Sequence, residues 1–255
     1  MEQQTEAPQS LQKIIQSISS KRDDIIKNRV GKKALKCECG EIILSEDGYK
    51  KCYRCREKER IETERLLKIQ QRKDNPEIHL EKIGVGRRYR SSTIESFNGG
   101  SKYVKFCRDW LKSPVSLFLY GKCGCGKTHL ASAICRELAT QDILPKILFV
   151  NASDLFLKIR STFRPDGDSE IDVVNSLCRP DYLFIDDLGA EKTSDWSRAT
   201  MYLIIDRRDR EMLPTIITSN LSPSDLGGAI DGRISSRIAN GKIVNIDMPD
   251  YRLKR

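Results

Sequence analysis

Apolar and polar residues alternate along the second half of the chain in blocks that predict a repeating order of strands and helices. Short apolar runs predict buried strands at residues 117–120, 147–150, 182–187 and 215–220. Apolar positions at helical spacing predict helices at residues 101–111, after 128, and at 152–163, 171–177 and 196–210, with a polar loop at 164–170. This alternation predicts an α/β fold, a parallel sheet with helices on both faces.

The first third of the chain has a different pattern. From Leu11 to Asn28, apolar residues follow helical spacing with charged residues between them. This stripe could pack inside a small module or dock on another protein. Residues 56–73 are highly charged and predict a solvated connecting helix, which Asn75-Pro76 ends. Its mixed charges favour a spacer over a nucleic-acid contact.

Four of the nine cysteines lie close together in this first third, at Cys37, Cys39, Cys52 and Cys55. Two close pairs separated by a short stretch with a possible hairpin turn at Asp47-Gly48 are typical of a four-cysteine zinc site. Four unrelated cysteines, or a redox pair, are the alternatives. We expect a structural zinc ion, since four thiolates leave no open position for chemistry and so short a module buries little surface.

Composition and charge narrow the class of protein. The 255 residues suit one medium domain and a small accessory one. The formal net charge of +9 favours an anionic partner, with nucleic acid first, although an inert basic surface is an alternative. Apolar runs are too short for a membrane span and no signal peptide opens the chain, so we expect a cytoplasmic protein with no membrane partner. The odd cysteine count argues against a disulfide framework and for a reducing compartment.

We divide the chain into an N-terminal helical and zinc-binding domain at 1–72, a linker at 73–98 and a larger α/β domain at 99–255. In the linker, Arg87, Arg88 and Arg90 flank Tyr89. These side chains could grip a phosphate or a base, or they could strap the two domains together.

The strand at 117–120 is followed directly by Gly121-Lys122-Cys123-Gly124-Cys125-Gly126-Lys127-Thr128, which matches the phosphate-binding pattern G-x-x-x-x-G-K-T. Glycines let the backbone fold around a phosphate with its N–H groups inward, and the following helix adds its positive N-terminal end. Lys127 then reaches the terminal phosphates, and the Thr128 hydroxyl holds Mg²⁺. A glycine-rich turn could match by chance, but strand, loop and helix come in the required order. The chain is therefore predicted to bind a nucleoside triphosphate.

Polar residues end two later strands, at the edge where parallel sheets form their sites. Asp186 is expected to hold Mg²⁺ opposite Thr128, and Asp187 to polarise the attacking water. Asn220 could orient the same water. An acid pair can also be a turn or helix-capping feature.

Arg233 and Arg237 share one face of a predicted helix, and one of them could reach the nucleotide of a neighbouring subunit. Two plain surface arginines are the alternative. His79 and His129 are the two histidines, which makes histidine-based catalysis improbable. Cys123 and Cys125 are interpreted as small lining residues, although a thiol there could make an ATPase sensitive to oxidation.

Over about residues 83–255 the chain resembles the DnaC/IstB-like ATPases of the AAA+ superfamily, which include bacterial and phage helicase loaders. The resemblance rests on Gly84-x-Gly86-x-Arg88-Tyr89, Phe97, Gly121–Thr128, Leu183–Gly189, Thr218-Ser219-Asn220, Arg233-x-x-x-Arg237 and Tyr251-Arg252. It implies an AAA+ P-loop core. Because eighteen residues follow Arg237, the helical lid usual in the superfamily is expected to be largely absent.

The resemblance also implies roles for individual residues. Lys127 and Thr128 correspond to the Walker A pair, Asp186 and Asp187 to the Walker B acids, Asn220 to sensor 1 and Arg237 to the arginine finger. The implied ATP or ADP contacts are Gly121, Lys122, Cys123, Gly124, Cys125, Gly126, Lys127, Thr128, His129 and Arg252. Relatives usually have glutamate where Asp187 stands, so we expect slow hydrolysis suited to a timed switch.

From these observations we expect an ATP-dependent loader of the replicative helicase, with Mg²⁺ and Zn²⁺ as cofactors. The N-terminal domain would dock on the hexameric helicase, and the AAA+ core would assemble head to tail and contact single-stranded DNA. One alternative is an IstB-like ATPase that assists a transposase in choosing its target. Another is a zinc-bearing adaptor whose nucleotide only stabilises the fold.

Overall fold

The computed structural model describes residues 33–45, 50–161, 169–189 and 194–254. The helix predicted at residues 11–28, the turn at Asp47-Gly48 and most of the loop at 164–170 lie outside these residues. The chain divides into two compact units, residues 1–67 and 68–255.

The described part of the first unit contains a small hairpin and the start of a helix. Strand β1 (Lys33–Lys36) pairs antiparallel with β2 (Ile42–Ser45), with Leu35 opposite Ile43. Helix α1 (Tyr53–Asp74) covers the predicted connecting helix and includes Cys55. Arg60 forms ion pairs with Glu57 and Glu64 on its exposed surface. Exposed pairs of this kind add little stability. Ile69 is the one buried residue described in this helix, so the helix is a solvated one, as predicted.

The second unit is built on a five-stranded parallel sheet in the order β4-β5-β6-β3-β7. Its strands are β3 (Leu117–Tyr120), β4 (Ile147–Asn151), β5 (Tyr182–Asp186), β6 (Thr215–Ser219) and β7 (Lys242–Asn245). The four predicted strands are confirmed. The sequence pattern did not indicate β7, because this edge strand is largely exposed and has no continuous apolar run.

Eight helices are described in this unit after α1: α2 (Pro76–Ile83), α3 (Ser101–Lys112), α4 (Lys127–Ala139), α5 (Ala152–Ser161), α6 (Glu170–Cys178), α7 (Asp195–Arg210), α8 (Pro223–Ala229) and α9 (Gly232–Ala239). Successive strand residues enter different cores. Leu117 and Leu119 pack with α2, α3 and α4, whereas Phe118 packs with α5 to α9. Since burial of one such side chain contributes about 1.5–3 kcal/mol, both faces need helices to cover them. The predicted α/β fold is confirmed.

The segment predicted as a linker contains several side chains of the first core. Pro76 ends α1 and also begins α2, because proline fits the first turn of a helix. Leu80, Val85 and Ile94 are buried in the same core as β3. Gly84 ends α2 at φ 109°, and a Cβ atom there would collide with the carbonyl oxygen of Phe149.

Arg90 fastens this segment within the second unit. Its Nε donates to the carbonyl oxygen of Val85 at 3.0 Å, and its guanidinium forms an ion pair with Glu81 at 3.2 Å. Arg136 of α4 donates to the carbonyl oxygen of Arg90 at 2.7 Å. These contacts hold Arg90 inside the second unit, and the interpretation of the arginine-rich stretch as a strap between two domains stays a prediction.

Arg208 of α7 is a fully buried cation. It lies at the amino ends of the strands, whereas the polar residues predicted for the site follow their carboxyl ends. Its guanidinium donates to the Thr215 hydroxyl at 2.9 Å and to the carbonyl oxygens of Pro180 at 2.7 Å and Pro214 at 2.8 Å. Burial lowers its pKa to about 10. Pro180 lies just before β5, Pro214 lies just before β6, and Thr215 is the first residue of β6. The arginine therefore joins the starts of two neighbouring strands.

None of the described helices is long and apolar enough to cross a membrane.

The pH dependence of stability is expected to change when His79 is replaced by glutamine. Burial first, and then Arg72 and Lys82, lower the pKa of His79 to about 4. Between pH 6.5 and 4 the unfolded chain therefore binds more protons than the folded chain, and the stability supplied by neutral His79 is lost as pH falls through this window. We expect the wild type to lose on the order of 1–2 kcal/mol more than His79→Gln between pH 7 and 4.5, after allowance for partial exposure of the ring.

Urea denaturation at several pH values measures this difference. His129, the other histidine, is present in both proteins and cancels in the comparison. Parallel stability curves for the two proteins would show that His79 titrates normally in the folded state.

Candidate nucleotide site

A cleft of about 910 Å³ lies at the carboxyl ends of the parallel strands. Residues from the ends of β3, β5 and β6 line it, among them Lys127, Asp186 and Asn220. This is the edge at which parallel sheets of this kind bind their ligands. The structure therefore brings together the polar residues that the sequence places after three separate strands.

The loop between β3 and α4 forms the floor of the cleft. It runs from Gly121 to Gly126, and α4 begins at Lys127. Gly126 has φ 98°, and a Cβ atom there would come within 2.7 Å of the Phe97 ring. Glycine is required here because both the left-handed backbone and the close ring exclude a side chain. The N-terminal end of a buried helix thus points into the cleft, which favours an anion.

Lys127 lies inside this loop with its side chain buried. Its Nζ donates to the carbonyl oxygens of Gly121 at 3.0 Å and Lys122 at 2.9 Å, and to Asn220 Oδ1 at 2.7 Å. All three acceptors are neutral. Its hydrogen bonds described here thus go to neutral groups, which a bound phosphate could replace with stronger, charge-assisted hydrogen bonds.

Thr128 and Asp186 face each other across the floor of the cleft. Thr128 Oγ1 donates to Asp186 Oδ1 at 2.9 Å. Burial raises the pKa of Asp186, and hydrogen bonds from Thr218 and Thr128 act against this shift. A hydroxyl and a carboxylate are oxygen donors of the kind that Mg²⁺ prefers. This pair could therefore hold Mg²⁺ beside a phosphate bound in the loop.

Asp187 and Asn220 continue the polar network outward. Asp187 has φ 58°, a left-handed conformation that aspartate tolerates better than most residues. Its Oδ1 accepts a hydrogen bond from Asn220 Nδ2 at 2.8 Å. Asn220 thus joins the ammonium of Lys127 to the carboxylate of Asp187 through the two ends of one amide.

The cleft is also lined by residues from the segments before β3 and after β7. Arg88, Tyr89 and Phe97 come from the segment before β3, and Met248 and Tyr251 from the segment after β7. An apolar and aromatic surface beside a phosphate loop is suited to a nucleoside. Arg88 and Tyr89 therefore lie where they could contact a base or a phosphate, and that contact stays a prediction.

His129 holds the segment before β3 against α4. Its ring nitrogens lie 3.3 Å from Ser92 Oγ and 3.1 Å from Ser96 Oγ. Burial lowers the pKa of His129. A neutral ring both donates and accepts, so His129 matches a positioning role at the cleft wall more closely than acid–base chemistry.

The segment after β7 closes the cleft from the opposite side. The backbone N–H of Ile246 donates to the carbonyl oxygen of Tyr120 at 2.7 Å, and that of Tyr251 to the carbonyl oxygen of Gly124 at 3.1 Å. Residues 251–254 form a 3₁₀ turn. Arg252 lies in this turn, and its predicted nucleotide contact remains a prediction.

Arg237 does not line the cleft of its own chain. It lies in α9, where its Nε donates to Asp206 Oδ1 at 3.0 Å and approaches Asp209 Oδ2 at 3.7 Å. A small cavity beside it includes Leu117 and Thr215, the first residues of β3 and β6. Arg237 is therefore near the amino ends of the strands, whereas the phosphate loop follows the carboxyl end of β3.

Arg233, the other arginine of the predicted pair, is paired with Asp231 at 2.8 Å and stacks over the Tyr202 ring.

In the first unit, the four predicted cysteines come together. The Sγ atoms of Cys37, Cys39, Cys52 and Cys55 all lie within 4.8 Å of one another. The backbone N–H of Cys52 donates to Cys37 Sγ at 3.3 Å and is the main cause that lowers the pKa of Cys37 to about 6. Four sulfur atoms at this spacing fit one tetrahedral zinc ion with Zn–S bonds of about 2.3 Å.

Several residues of the cleft were given no separate role by the sequence pattern. Asn98, Asn151 and Met248 line it, and Thr218 contacts both acids. The sequence pattern could have predicted Asn151, because it is a polar residue at the end of the apolar strand β4, as Asn220 is for the predicted strand 215–220. Asn98 and Met248 carried no comparable signal, because the first lies in an irregular segment and the second follows the exposed edge strand.

A phosphate loop after the inner strand β3, with acids after β5 and with β6 between these two strands, defines a P-loop nucleoside triphosphatase fold. The sheet order and the helices on both faces give this core the AAA+ fold. The sequence profile of IstB-like ATP binding proteins matches residues 102–253. Because the match covers more than half of the chain, the protein belongs to the IstB-like ATP-binding family.

Comparison with individual proteins agrees with this family. The chain is 29% identical over 153 residues to the replicative helicase loader DnaC of Escherichia coli (strain K12). This alignment covers 60% of this chain and 62% of that protein. It is 28% identical over 186 residues to DnaC of Buchnera aphidicola subsp. Baizongia pistaciae, covering 69% of this chain and 75% of that one. The alignment with the Escherichia coli protein thus spans less than two thirds of its length.

Among solved structures, a crystal structure of the DnaC helicase loader is similar to this chain with a TM-score of 0.56. The sequence identity is 23%, and the match covers 64% of this chain and 100% of that chain. At this identity, the likeness shows the shared fold alone.

Proposed function

We propose that the protein is an ATP-dependent loader that places a replicative hexameric helicase on single-stranded DNA. The observation that carries the ATPase part is the connected network of Lys127, Asn220 and Asp187 beside the Thr128–Asp186 pair. The similarity to proteins named replicative helicase loaders supports the choice of client. The proposal goes beyond the family, whose name states only ATP binding.

In this proposal the loop residues 121–128, with His129 and Arg252, bind ATP or ADP. Lys127 would exchange its neutral acceptors for the terminal phosphates, which releases Asn220 from the ammonium. Thr128 and Asp186 would hold Mg²⁺, which neutralises the charge that develops on the transferred phosphoryl group. The fit of these residues rests on their oxygen donors, 2.9 Å apart at the N-terminus of α4.

Asp187 and Asn220 would orient and polarise the attacking water. Both are held before a nucleotide enters, since the amide of Asn220 donates to Asp187 at 2.8 Å. Aspartate is one methylene shorter than the glutamate usual in relatives. We therefore expect slow hydrolysis, stimulated by DNA, which suits a timed switch.

Arg237 is proposed to act on the nucleotide of a neighbouring copy in a head-to-tail assembly. Two observations support this role. Arg237 lies at the opposite end of the strands from its own cleft, and its partly exposed guanidinium is held by the carboxylates of Asp206 and Asp209, which a neighbour's phosphate could replace. The ion pair with Asp206 would then open as the assembly forms.

The N-terminal domain, with its zinc site, is proposed to dock on the helicase in the cytoplasm. The ATPase core would contact single-stranded DNA through its basic surface, which a net charge of +9 supports. Hydrolysis would release the loader from the helicase.

Affinity capture tests this proposal directly. In the presence of ATP and Mg²⁺, the immobilised full chain is expected to retain the purified replicative helicase of the same organism. Single-stranded DNA is expected to raise the ATPase rate of the chain itself. A deletion of residues 1–67 should abolish capture of the helicase. If the immobilised chain hydrolyses ATP but does not retain the helicase, the loader assignment would be overturned and the ATPase assignment would stand.

The second candidate function is that of an ATPase which assists a transposase in target selection. The family match to IstB-like proteins over residues 102–253 favours it. The same capture experiment with a transposase, and ATPase stimulation by double-stranded in place of single-stranded DNA, would support this alternative. We place it second because the cysteine cluster ahead of the core is unexpected for that role.

A further inference from the structure

The hydroxyl group of Thr218 is shared by both acids of the site. Thr218 lies in β6, and its side chain is buried. Its Oγ1 donates to Asp186 Oδ1 at 2.6 Å and accepts a hydrogen bond from the backbone N–H of Asp187 at 2.8 Å. A single hydroxyl therefore contacts the side chain of one acid and the main chain of the next.

This contact stands where the pairing of two strands ends. Strands β5 and β6 pair regularly as far as Ile185, opposite Ile217. Beyond that point the Thr218 side chain receives the N–H of Asp187. Asp187 then turns into its left-handed conformation, and its carboxylate reaches Asn220. The left-handed turn is unfavourable for a residue with a side chain, so it needs support from fixed contacts.

The same hydroxyl also helps to hold the Asp186 carboxylate through its Oδ1 atom. Thr128 and Thr218 both donate to Oδ1 of Asp186. If Thr128 turns toward Mg²⁺, Thr218 remains as the donor that holds this carboxylate. Residues that orient a metal-binding carboxylate in this way typically affect metal affinity or activity about 10–100-fold.

We propose that Thr218 is a positioning residue that sets both acids for catalysis, the Asp186 carboxylate for Mg²⁺ and the Asp187 carboxylate for water. This inference rests on the proposed ATPase function. It assigns the role to the hydroxyl group, since Thr218 is too deeply buried to reach the nucleotide itself.

A matched pair of variants isolates that hydroxyl. Thr218→Val keeps the shape of the side chain and removes the hydrogen bonds, whereas Thr218→Ser keeps the hydroxyl. For Thr218→Val we expect kcat to fall about 10–100-fold and the Mg²⁺ concentration for half-maximal ATP binding to rise about 10-fold. Affinity for fluorescent ATP in EDTA should stay within about 3-fold of wild type, because the loop and Lys127 are untouched. Thr218→Ser should stay within about 3-fold in every measurement.

The outcomes separate this inference from the function on which it rests. Wild-type protein that neither binds nor hydrolyses ATP would remove the proposed function itself. An active wild type with Thr218→Val equal to Thr218→Ser would overturn only the positioning role. An equal loss of ATP affinity with and without Mg²⁺ would also overturn it, since that points to general damage of the fold. If Thr218→Val does not fold, Thr218→Ala against Thr218→Ser gives the same comparison.

Discussion

Replacing Lys127 with alanine is expected to lower the affinity for ATP by about 100-fold or more and to abolish hydrolysis. Each charge-assisted hydrogen bond to a phosphate contributes about 1.5–3 kcal/mol, and the ammonium offers three donors at the base of the loop. In the free protein these donors are satisfied by two carbonyl groups and Asn220. Titration with fluorescent ATP in the presence of Mg²⁺ measures the loss.

Lys105→Ala, which removes an exposed lysine of α3, is the matched control and should bind ATP as the wild type does. Circular dichroism must show that Lys127→Ala is folded. If Lys127→Ala kept wild-type affinity, ATP would have to bind elsewhere, and the assignment of the cleft would be wrong. If the variant lost ATP binding yet still supported helicase loading, the nucleotide would only stabilise the fold.

Removal of zinc, or the change Cys52→Ser, is expected to unfold the N-terminal unit. Among the residues of this unit whose burial the structure describes, Cys37 and Cys52 are the buried ones. The described hairpin strands have four residues each, which gives too little apolar surface to hold a fold. Zinc binding by comparable sites contributes about 10–16 kcal/mol, enough to compensate for that deficit.

The measurement combines metal analysis with limited proteolysis. The wild type should contain about one zinc ion per chain, as expected for one four-cysteine site. Cys52→Ser should lose this ion and should be cleaved rapidly before residue 68. Cys178→Ser in the second unit is the control and should retain zinc, since Cys178 lies outside the cluster. A zinc-free wild type with an equally resistant N-terminal unit would contradict a structural metal site.

The two variants also separate the proposed tasks of the two units. Lys127→Ala should lose ATP binding and still bind zinc, whereas Cys52→Ser should lose zinc and still bind ATP. If helicase capture fails only with Cys52→Ser, the docking role belongs to the N-terminal unit. Capture that is lost with Lys127→Ala alone would instead show that nucleotide binding controls access to the helicase.

The amino-acid sequence by itself determined the buried strands, the phosphate loop and the cysteine cluster. Strands β3, β4 and β5 each contain a continuous apolar run, and β6 has Ile216 and Ile217 between two threonines, because strands covered by helices on both faces favour apolar residues at most positions. The phosphate loop is local, so its spacing alone specifies the chemistry. The exposed edge strand β7 lacks both kinds of signal, and its sequence pattern does not distinguish it from a loop.

Only the tertiary structure decided which residues meet. Asn220 contacts Lys127, 93 residues away in the chain, because β6 and β3 are neighbours in the sheet. Thr218 reaches both acids because β5 and β6 are neighbours. Hydrophobic periodicity reports which face of a strand is buried and says nothing about which strand lies beside it. The strand order, which places these polar ends side by side, is therefore a property of the folded chain as a whole.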